Sequence, residues 1–532
     1  MVDKNMREWH KNKVGAILYI SIILLCLFLI FYGSKRRYDN AHGFSSASGF
    51  LAIDSGANKA QNNISQNNTL QNSASQNSAL QNNILQSSAP QSSIFAEKII
   101  PNIEPSAHAS ALVATDDAIM SLFFAGTREG HKDVKIYQSF LKKSENDILE
   151  SKWSAPKAVL DAKKLSQISG KYIKKLGNPI VFRDKNGKIH CFVVGVSLGG
   201  WATSRIYQFY FNDNLDKLIF VRELRLNPFM NYSNLVRAPA VAMQDGGFML
   251  PLYHEMASKF SFVAFFDEDK KMIFTKRLND LHSLLQPSIA PLDSNTCVAT
   301  FRIYASRYDS AQFIQKCSDN GNNWGDLKNT NLKNPGSSSI MTSFEDGILL
   351  IHNDADENLI LQELWKNRDL IDFDKPIYKQ INYDIKINEK DSTKQGILLK
   401  QAESGAQIDS GKAQDSSKAQ DSSNIQDSSA FGAPSGASGQ GYGGRQALSL
   451  FYLKKSDIDK NIYFKKLATI DIAVPRGEVS YPAAIVDSGF LHISYTYNRA
   501  KIKHAALSIA KIKELIQNKN NDFVLLSTGE VR

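Results

Sequence analysis

Between Ile99 and the C-terminus, short apolar or alternating runs recur with polar turns between them: AIMSLFFAG, KIYQSFL, PIVFRD, IHCFVVGVS, RIYQFYFN, GGFMLPLYHE, FSFVAFFD, TCVATFRIYA, AQFIQKC, GILLIHN, LSLFYLK and FLHISYTYN. Each run is about five to eight residues long and rich in β-branched and aromatic side chains, which predicts strands. DKNG, QDGG, DNGNN and EDG separate them and supply turn chemistry at hairpin spacing. Helical periodicity is weak here, and HAALSIAKIKELIQNK near the C-terminus predicts the clearest helix. Many short antiparallel strands point to a sandwich, a barrel or a propeller, and a propeller suits a chain of this length best.

Three stretches break the pattern. Val14 to Tyr32, VGAILYISIILLCLFLIFY, carries no charge over nineteen residues, the length a bilayer core asks of a helix. It is followed by Lys35, Arg36 and Arg37 rather than a small-x-small cleavage site, so an uncleaved signal anchor is expected over residues 14–33. Lys4, Arg7, Lys11 and Lys13 are nearly balanced by those three basic residues. Orientation is therefore set by the habit of large domains after a single N-terminal span: residues 1–13 stay in the cytoplasm, and the chain beyond the span is extracytoplasmic, periplasmic or extracellular. Residues 34–97 are Gln/Asn/Ser-rich, with pentapeptide repeats from Gln61. As a flexible coil, about 35 such residues span roughly 30 Å. The folded part is expected over 98–510, with a partly helical tail at 511–532. It is interrupted at 403–445 by AQDSSK-type repeats and a Gly-rich run that predict a disordered insert.

Composition narrows the chemistry. The net charge of +10 comes from Lys and Arg spread along the chain without interleaved aromatics, which argues against a nucleic-acid partner. No CxxC pair or HExxH motif calls for a metal, and no cofactor is expected. GQGYGG, Gly439 to Gly444, formally matches a dinucleotide fingerprint, but no strand runs into it and no helix pattern leaves it. Of the four cysteines, Cys297 and Cys317 lie equally far from Arg307, the middle of a predicted hairpin. They are placed to face each other, and a disulfide is open to them in an oxidising compartment.

Cys317-Ser318-Asp319-Asn320-Gly321-Asn322-Asn323-Trp324 resembles the Asp box, SxDxGxTW, in which Asp and Gly make a tight turn and the Trp packs beneath it. A degenerate copy ends at Trp153 in SKWSAPKAVLD. Together with SAHASALV, FFAGTREGHKDVKIYQS, LGNPIVFRDKNGKIHCFVVGVSLGGWATS, LVRAPAV, FMLPLYHE, LQPSIAPLD, NPGSSSI and VSYPAAIVDSGFLHISYTYNRAKIKH, taken in order, the chain resembles the sialidase-like, BNR-repeat family. The resemblance implies an all-β, six-bladed propeller behind one N-terminal transmembrane helix, with a site at its centre.

The family's chemistry implies which residues serve. Convergent Arg side chains hold a sialic-acid carboxylate, an Asp is acid and base, and a Tyr paired with Glu attacks the anomeric carbon. Tyr481 in SYPAA resembles the nucleophile, Arg302 in TFRIY one carboxylate-binding Arg, and Asp133 in GTREGHKDV the acid and base. His108 stands nearest the place of the family's first Arg, Gln286 takes the place of the Glu, and NDADENLIL lacks the Arg expected before its strand. Arg128, Glu129, Arg237, His254 and Glu255 complete the candidate pocket, with only one of the adjacent pair His254 and Glu255 able to face it. Each residue also has a structural reading: Arg302 as a strand-edge ion pair, Tyr481 as a half-buried strand aromatic, Asp133 as a turn cap, and Trp201 as blade packing rather than a sugar platform. Two functions are carried forward. The first is a membrane-anchored glycoside hydrolase acting on terminal, sialic or other, sugars of glycoconjugates; the alternative is a non-catalytic propeller binding glycan or protein at the cell envelope.

Overall fold

The structure is a computed structural model that describes residues 20–28, 49–51, 94–143, 150–304, 311–357, 444–473, 477–518 and 525–527. Its strands form six antiparallel sheets, the blades of a propeller. Blade 1 is β2 (Ser106–Ala114), β3 (Ala118–Gly126), β4 (Lys135–Lys142) and β5 (Lys157–Asp161); blade 2 is β6 (Lys175–Arg183), β7 (Ile189–Val196), β8 (Ser204–Phe211) and β9 (Leu218–Glu223). In blade 3 the inner strand is split into β10 (Asn234–Val236) and β11 (Val241–Ala242), both paired with β12 (Phe248–His254), followed by β13 (Phe260–Phe266) and β14 (Met272–Arg277). Blade 4 is β15 (Leu284–Pro291), β16 (Cys297–Ile303), β17 (Ala311–Ser318) and β18 (Asn323–Lys333). Blade 5 is β19 (Ile340–Phe344), β20 (Gly347–Asn353), β21 (Ala447–Lys454) and β22 (Lys465–Ile472). Blade 6 joins β23 (Val479–Asp487), β24 (Phe490–Tyr497) and β25 (Lys501–Ser508) to the N-terminal β1 (Phe95–Ile100), whose six residues pair with β25 from Phe95↔Leu507 to Ile100↔Ile502.

The patterning follows position in the blade. β3 and β7 are buried along their whole length, because neighbouring blades cover both faces, whereas β18 at a blade edge alternates half-buried and exposed. Between blades 2 and 3, Phe182 packs on Phe248 at 4.7 Å between ring centroids, and Phe248 stacks on Phe266 at 4.3 Å. Strands alternate in direction within each blade. The starts of the inner strands and the links from second to third strand therefore open on one face of the ring, and the other two kinds of turn on the opposite face.

The Asp box lies on that opposite face, between β17 and β18. Asp319, Asn320 and Gly321 all have left-handed φ, Asn322 N–H donates to Asp319 O at 2.9 Å, and the Trp324 indole donates to Gly321 O at 2.8 Å. Trp153 is buried at the matching place in blade 1, bridging to Leu141. Cys297 and Cys317 are direct register partners joined by a disulfide, with Cα atoms 4.9 Å apart; Arg307 itself lies outside the described residues.

Two sequence expectations change. HAALS at 504–508 is strand, not helix: its Ala-rich composition favours a helix, but it is held between β24 and β1, and tertiary pairing overrides local propensity. The helix begins at Ile509 and runs to Gln517, with Ser508 Oγ accepting from Lys511 N–H. A second helix, Ala162–Ser169, was not expected, although Asp161 caps it and Gly170, at φ 65°, ends it.

Of the apolar run near the N-terminus, only Ile20 to Phe28 fall among the described residues; they are helical and exposed. No helix among the described residues is long and apolar enough to cross a membrane. The pentapeptide repeats up to Ser93 and all of 403–445 except Gly444 and Arg445 lie outside them; the last repeat, QSSIF, ends in Ile94 and Phe95, and the tract expected as spacer to residue 97 is strand from Phe95, because it pairs with β25. Within the tract read as spacer, Phe50 is fully buried against Met243, Met249 and the disulfide. Its N–H donates to Ser294 O at 2.6 Å, and Leu51 N–H donates to Ala242 O at 3.0 Å. Both acceptors lie by first-to-second strand turns, so this segment docks on the Asp-box face.

Denatured without reductant, the chain is expected to expose two thiols, Cys26 and Cys191, and four after reduction, counted with a thiol reagent. Replacing Cys297 and Cys317 together by Ser should lower the unfolding free energy by about 3 kcal/mol. Acid should act through a second buried pair. His492 Nδ1 and His504 Nε2 lie 3.0 Å apart, and the edge of Trp153 meets His504 between blades 6 and 1. Burial holds His492 down to about 4, and burial with His492 beside it holds His504 well below its ordinary 6.5. The unfolded chain thus binds these protons first, and the stability present above pH 6.5 is lost as pH falls toward 4. Urea midpoints measured from pH 7 down to pH 4.5 should drop, and less steeply in His492→Phe.

Candidate functional site

Five of the six blades carry an x-Pro dipeptide within or just ahead of the inner strand: Asn178-Pro179, Ala238-Pro239, Gln286-Pro287, Asn334-Pro335 and Tyr481-Pro482. In β6, β15 and β23 the residue before Pro lies in a β-bulge with left-handed φ, 38° at Asn178, 51° at Gln286 and 55° at Tyr481. The same bulge without proline puts Ala109 at φ 51° in β2. Proline has no N–H to leave unpaired at the break, and the bulge re-aims the side chain before it. The side chains of Asn178, Gln286 and Tyr481 accordingly meet in one network.

Tyr481 Oη accepts from Arg302 Nη1 at 3.0 Å and from Gln286 Nε2 at 3.4 Å. Gln286 Nε2 also donates to Tyr253 Oη at 3.3 Å, which accepts from Asn178 Nδ2 at 3.2 Å. Arg237 stands 5.2 Å from the Tyr481 ring centroid, with Nη2 donating to Pro482 O at 2.9 Å, and the His108 ring lies 4.3 Å from the same ring. Four of the expected residues thus surround Tyr481: Arg302, Arg237, Gln286 and His108. Glu255 follows β12 beside them, and its carboxyl feels Arg302. His254 turns away, stacking on Phe260 at 5.1 Å, so of that adjacent pair only Glu255 faces the centre.

Asp133, Arg128 and Glu129 sit on the link between β3 and β4, on the same face. Asp133 accepts from Thr127 and pairs with His131 at 2.7 Å, Arg128 is exposed, and Glu129 bonds Arg499. Trp201 packs where a Cβ on Gly177 would lie, 2.6 Å away, with Lys175 Nζ over its ring at 5.1 Å.

The strand start that lacks its Arg in NDADENLIL receives one from further along. Arg445, two residues before β21, reaches 5.9 Å from the Tyr481 ring centroid and donates to Glu478 at 3.1 Å and to Gly336 O at 2.7 Å. The insert between β20 and β21 carried it far from the motif that would have found it. Arg499, in the turn after β24, also pairs with Glu478, at 2.7 Å.

Charge separates these groups. Burial opposes ionisation of Glu478, but Arg499 and Arg445 outweigh it and hold the carboxyl far below its usual range. Burial likewise raises the Tyr481 phenol, yet Arg302 and Arg445 bring it below its ordinary value. His108 is held well below its ordinary value by burial and then by Arg499, so it is neutral at pH 7. Burial raises the Glu255 carboxyl; burial also opposes ionisation of Asp133, but hydrogen bonds from Thr127 and His131 together outweigh it and hold that carboxyl below its ordinary value. Arg237 is lowered to about 10 by burial. No ion pair joins Arg237 or Arg302 to a carboxylate among the described residues, and the Nε of each has no hydrogen-bond partner there. Glu478→Gln should cost about 3 kcal/mol of unfolding free energy, the low end for breaking a buried pair, because Arg499 is 26% exposed and keeps Glu129; a urea titration measures it.

Comparison with curated proteins yields no match. Among solved structures, a Hadza microbial sialidase superposes with a TM-score of 0.49 at 11% identity, covering 76% of this chain and 66% of that one. A protein of unknown function from Dyadobacter fermentans gives 0.48 at 10% identity, covering 78% and 98%. Trypanosoma rangeli sialidase in complex with the inhibitor DANA gives 0.45 at 8% identity, covering 78% and 56%. The chain spans less than two thirds of the length of the two sialidases. Residues 117–493, more than half of the chain, match the model of the BNR repeat-like domain. With its six blades and its Asp box, the chain belongs to the sialidase-like BNR-repeat family.

Proposed function

We propose that this propeller is a glycosidase that takes an acidic terminal sugar of a glycoconjugate, a sialic acid being the first choice. One observation carries this reading: two guanidiniums, that of buried Arg237 and that of half-buried Arg302, converge on Tyr481 without an ion pair to a carboxylate among the described residues. Buried charge of that kind is costly until an anion completes it, and a sugar carboxylate fits the bidentate fork of Arg. Arg445 adds a third cation on the same ring.

The reaction then runs in two displacements. Tyr481 Oη bonds to the anomeric carbon and passes its proton to water as the glycosidic C–O bond breaks, while protonated Asp133 gives its proton to the leaving oxygen. Water then attacks the anomeric carbon as the bond to Tyr481 Oη breaks; Asp133 takes the water's proton, and the phenolate regains its own from solvent. A neutral phenol approaches the carboxylate-bearing carbon without the repulsion a carboxylate nucleophile would meet. The N-terminal apolar run anchors the propeller in a membrane with the domain outside the cytoplasm. Because β1 and Phe50 both enter on the Asp-box face, the pocket looks away from that anchor.

A second reading, a propeller that binds the sugar without cleaving it, is favoured by Gln286. Its Nε2 offers Tyr481 a donor where a Glu would offer an acceptor for the phenol proton. Full-length protein tested with a fluorogenic sialoside separates the two. For the enzyme, Tyr481→Phe should reduce turnover by at least about a hundredfold while binding persists, and Arg302→Ala should abolish binding measured by calorimetry. For the binder, the parent protein binds sialic acid without turnover and Gln286→Glu gains it. Absence of both binding and turnover would overturn the acidic-sugar assignment.

A further inference from the structure

Large apolar side chains left in water are spread unevenly over the propeller. On the pocket face of blades 2 to 4, the connections into the inner strands and from second to third strands carry Tyr172, Leu198, Phe229, Tyr232, Leu281 and Tyr304. Phe229 is 78% exposed, Leu198 68% and Tyr172 61%. The turns of the same three blades on the Asp-box face carry no exposed large apolar side chain among the described residues. Side chains this exposed add little to blade packing, and a cluster of them on one face marks an interaction surface.

Charge divides the same way. In those pocket-face connections (162–174, 197–203, 224–233, 255–259, 278–283 and residue 304), Lys163, Lys164, Lys171, Lys174, Arg225 and Lys259 stand against only two acidic residues, Glu255 and Asp280. In the opposite turns of these blades (184–188, 212–217, 243–247, 267–271, 292–296 and 319–322), nine Asp or Glu outnumber five Lys. Lys163, Lys174 and Arg225 are exposed and form no ion pair among the described residues. Two cations lie directly on exposed rings, Arg205 over Tyr232 at 4.3 Å and Lys259 over Tyr304 at 4.4 Å.

Exposed aromatic and leucine side chains set among cations are the composition of a surface that lies in the headgroup layer of an anionic bilayer. Lys and Arg rest their apolar stems beside such rings while the charge stays with the headgroups. A protein partner fits less well, because the cores of protein interfaces are depleted in Lys. The apolar side chains also stand on separate connections, and Tyr172, Leu198 and Tyr232 line a 570 Å³ cavity between blades 2 and 3. A fluid lipid surface can meet such separated tips without a fixed complementary shape.

We propose that the pocket face of blades 2 to 4 docks on an anionic lipid surface, with Phe229 and Leu198 entering the headgroup layer and Lys163, Lys174 and Arg225 meeting its phosphates and carboxylates. The inference stands apart from the acidic-sugar reading, since it needs no reaction at Tyr481. Its consequence for the central site is positional. Tyr481 opens on the docked face, so docking presents the pocket to molecules carried on lipid rather than to those free in solution.

A local probe keeps insertion of the N-terminal apolar run from imitating docking. The full chain with Cys26→Ser and Phe229→Cys, purified in phosphatidylcholine nanodiscs, is labelled at position 229 with an environment-sensitive nitrobenzoxadiazole dye, Cys191 being buried. A second sample carries the dye through Asp213→Cys, exposed on the opposite face. With vesicles of phosphatidylcholine and phosphatidylserine in equal parts, the dye at 229 should brighten and shift to the blue, and the dye at 213 should not. Lys163→Gln with Lys174→Gln should raise the lipid concentration at half-maximal shift about thirtyfold. No shift at 229 would overturn the proposal, and so would equal shifts at both positions, which report nonspecific adsorption. An equal response to vesicles of phosphatidylcholine alone would overturn the anionic surface. A shift on adding unlabelled protein without vesicles would overturn the lipid assignment and give the face to another copy of the chain.

Discussion

The outer strand of blade 6 comes from the opposite end of the chain to its other three strands, so the ring closes only when β1 lies along β25. Backbone pairing over Phe95–Ile100 is reinforced from the side chains, where Lys503 of β25 holds both Glu97 of β1 and Asp471 of β22. Tyr495 donates to the same Asp471 at 3.0 Å. This buried cluster ties the closing strand to blades 5 and 6 at once. Blade 6 also supplies Tyr481, while Glu478 and Arg499 flank its strands, so the position of Tyr481 depends on a contact made between the two ends of the fold.

Within the ring, the centre departs from ordinary strand chemistry. Left-handed non-glycine residues interrupt four inner strands at equivalent points, at a backbone cost of order 1–3 kcal/mol each. Buried arginines add a desolvation cost that burial of apolar surface elsewhere must offset. Glu478 relieves part of it by bonding Arg445 and Arg499, which leaves the positive field concentrated on Arg237 and Arg302. Packed blades with stacked aromatics between them provide a frame rigid enough to keep that arrangement.

The strands were legible in the sequence because blade interiors enforce continuous apolar runs and the turns between them need Gly, Asn and Asp. Tyr481, Arg302, Gln286 and Arg237 could be read for a related reason: each lies within a strand or directly beside one, in a segment whose order along the chain is preserved. Arg445 could not, since its place is defined by a hairpin whose two arms are separated by a low-complexity insert. Asn178 and Tyr253 were missed as site residues because each looks like an ordinary strand residue until the bulges bring blades 2, 3 and 4 together. The recurring x-Pro dipeptides were the available signal for those bulges, hidden by having nothing else in common. At 504–508 the error ran the other way, where helix-favouring alanines sit in a strand because β24 and β1 leave them no alternative.

Phe50 has a consequence for reach. A chain can extend by at most about 3.3–3.6 Å per residue, and only the stretch from Tyr32 to Gly49 lies between the end of the apolar run and the docked segment. That stretch can separate the end of the apolar run from Phe50 by roughly 60 Å at most. Everything from Ala52 to Ser93, including all but the end of the last pentapeptide repeat, joins two points already fixed on the propeller, Phe50 and β1. Copies of the repeat could then be gained or lost without changing the number of residues between the apolar run and the docked Phe50: they lengthen only a segment whose two ends are both held on the propeller.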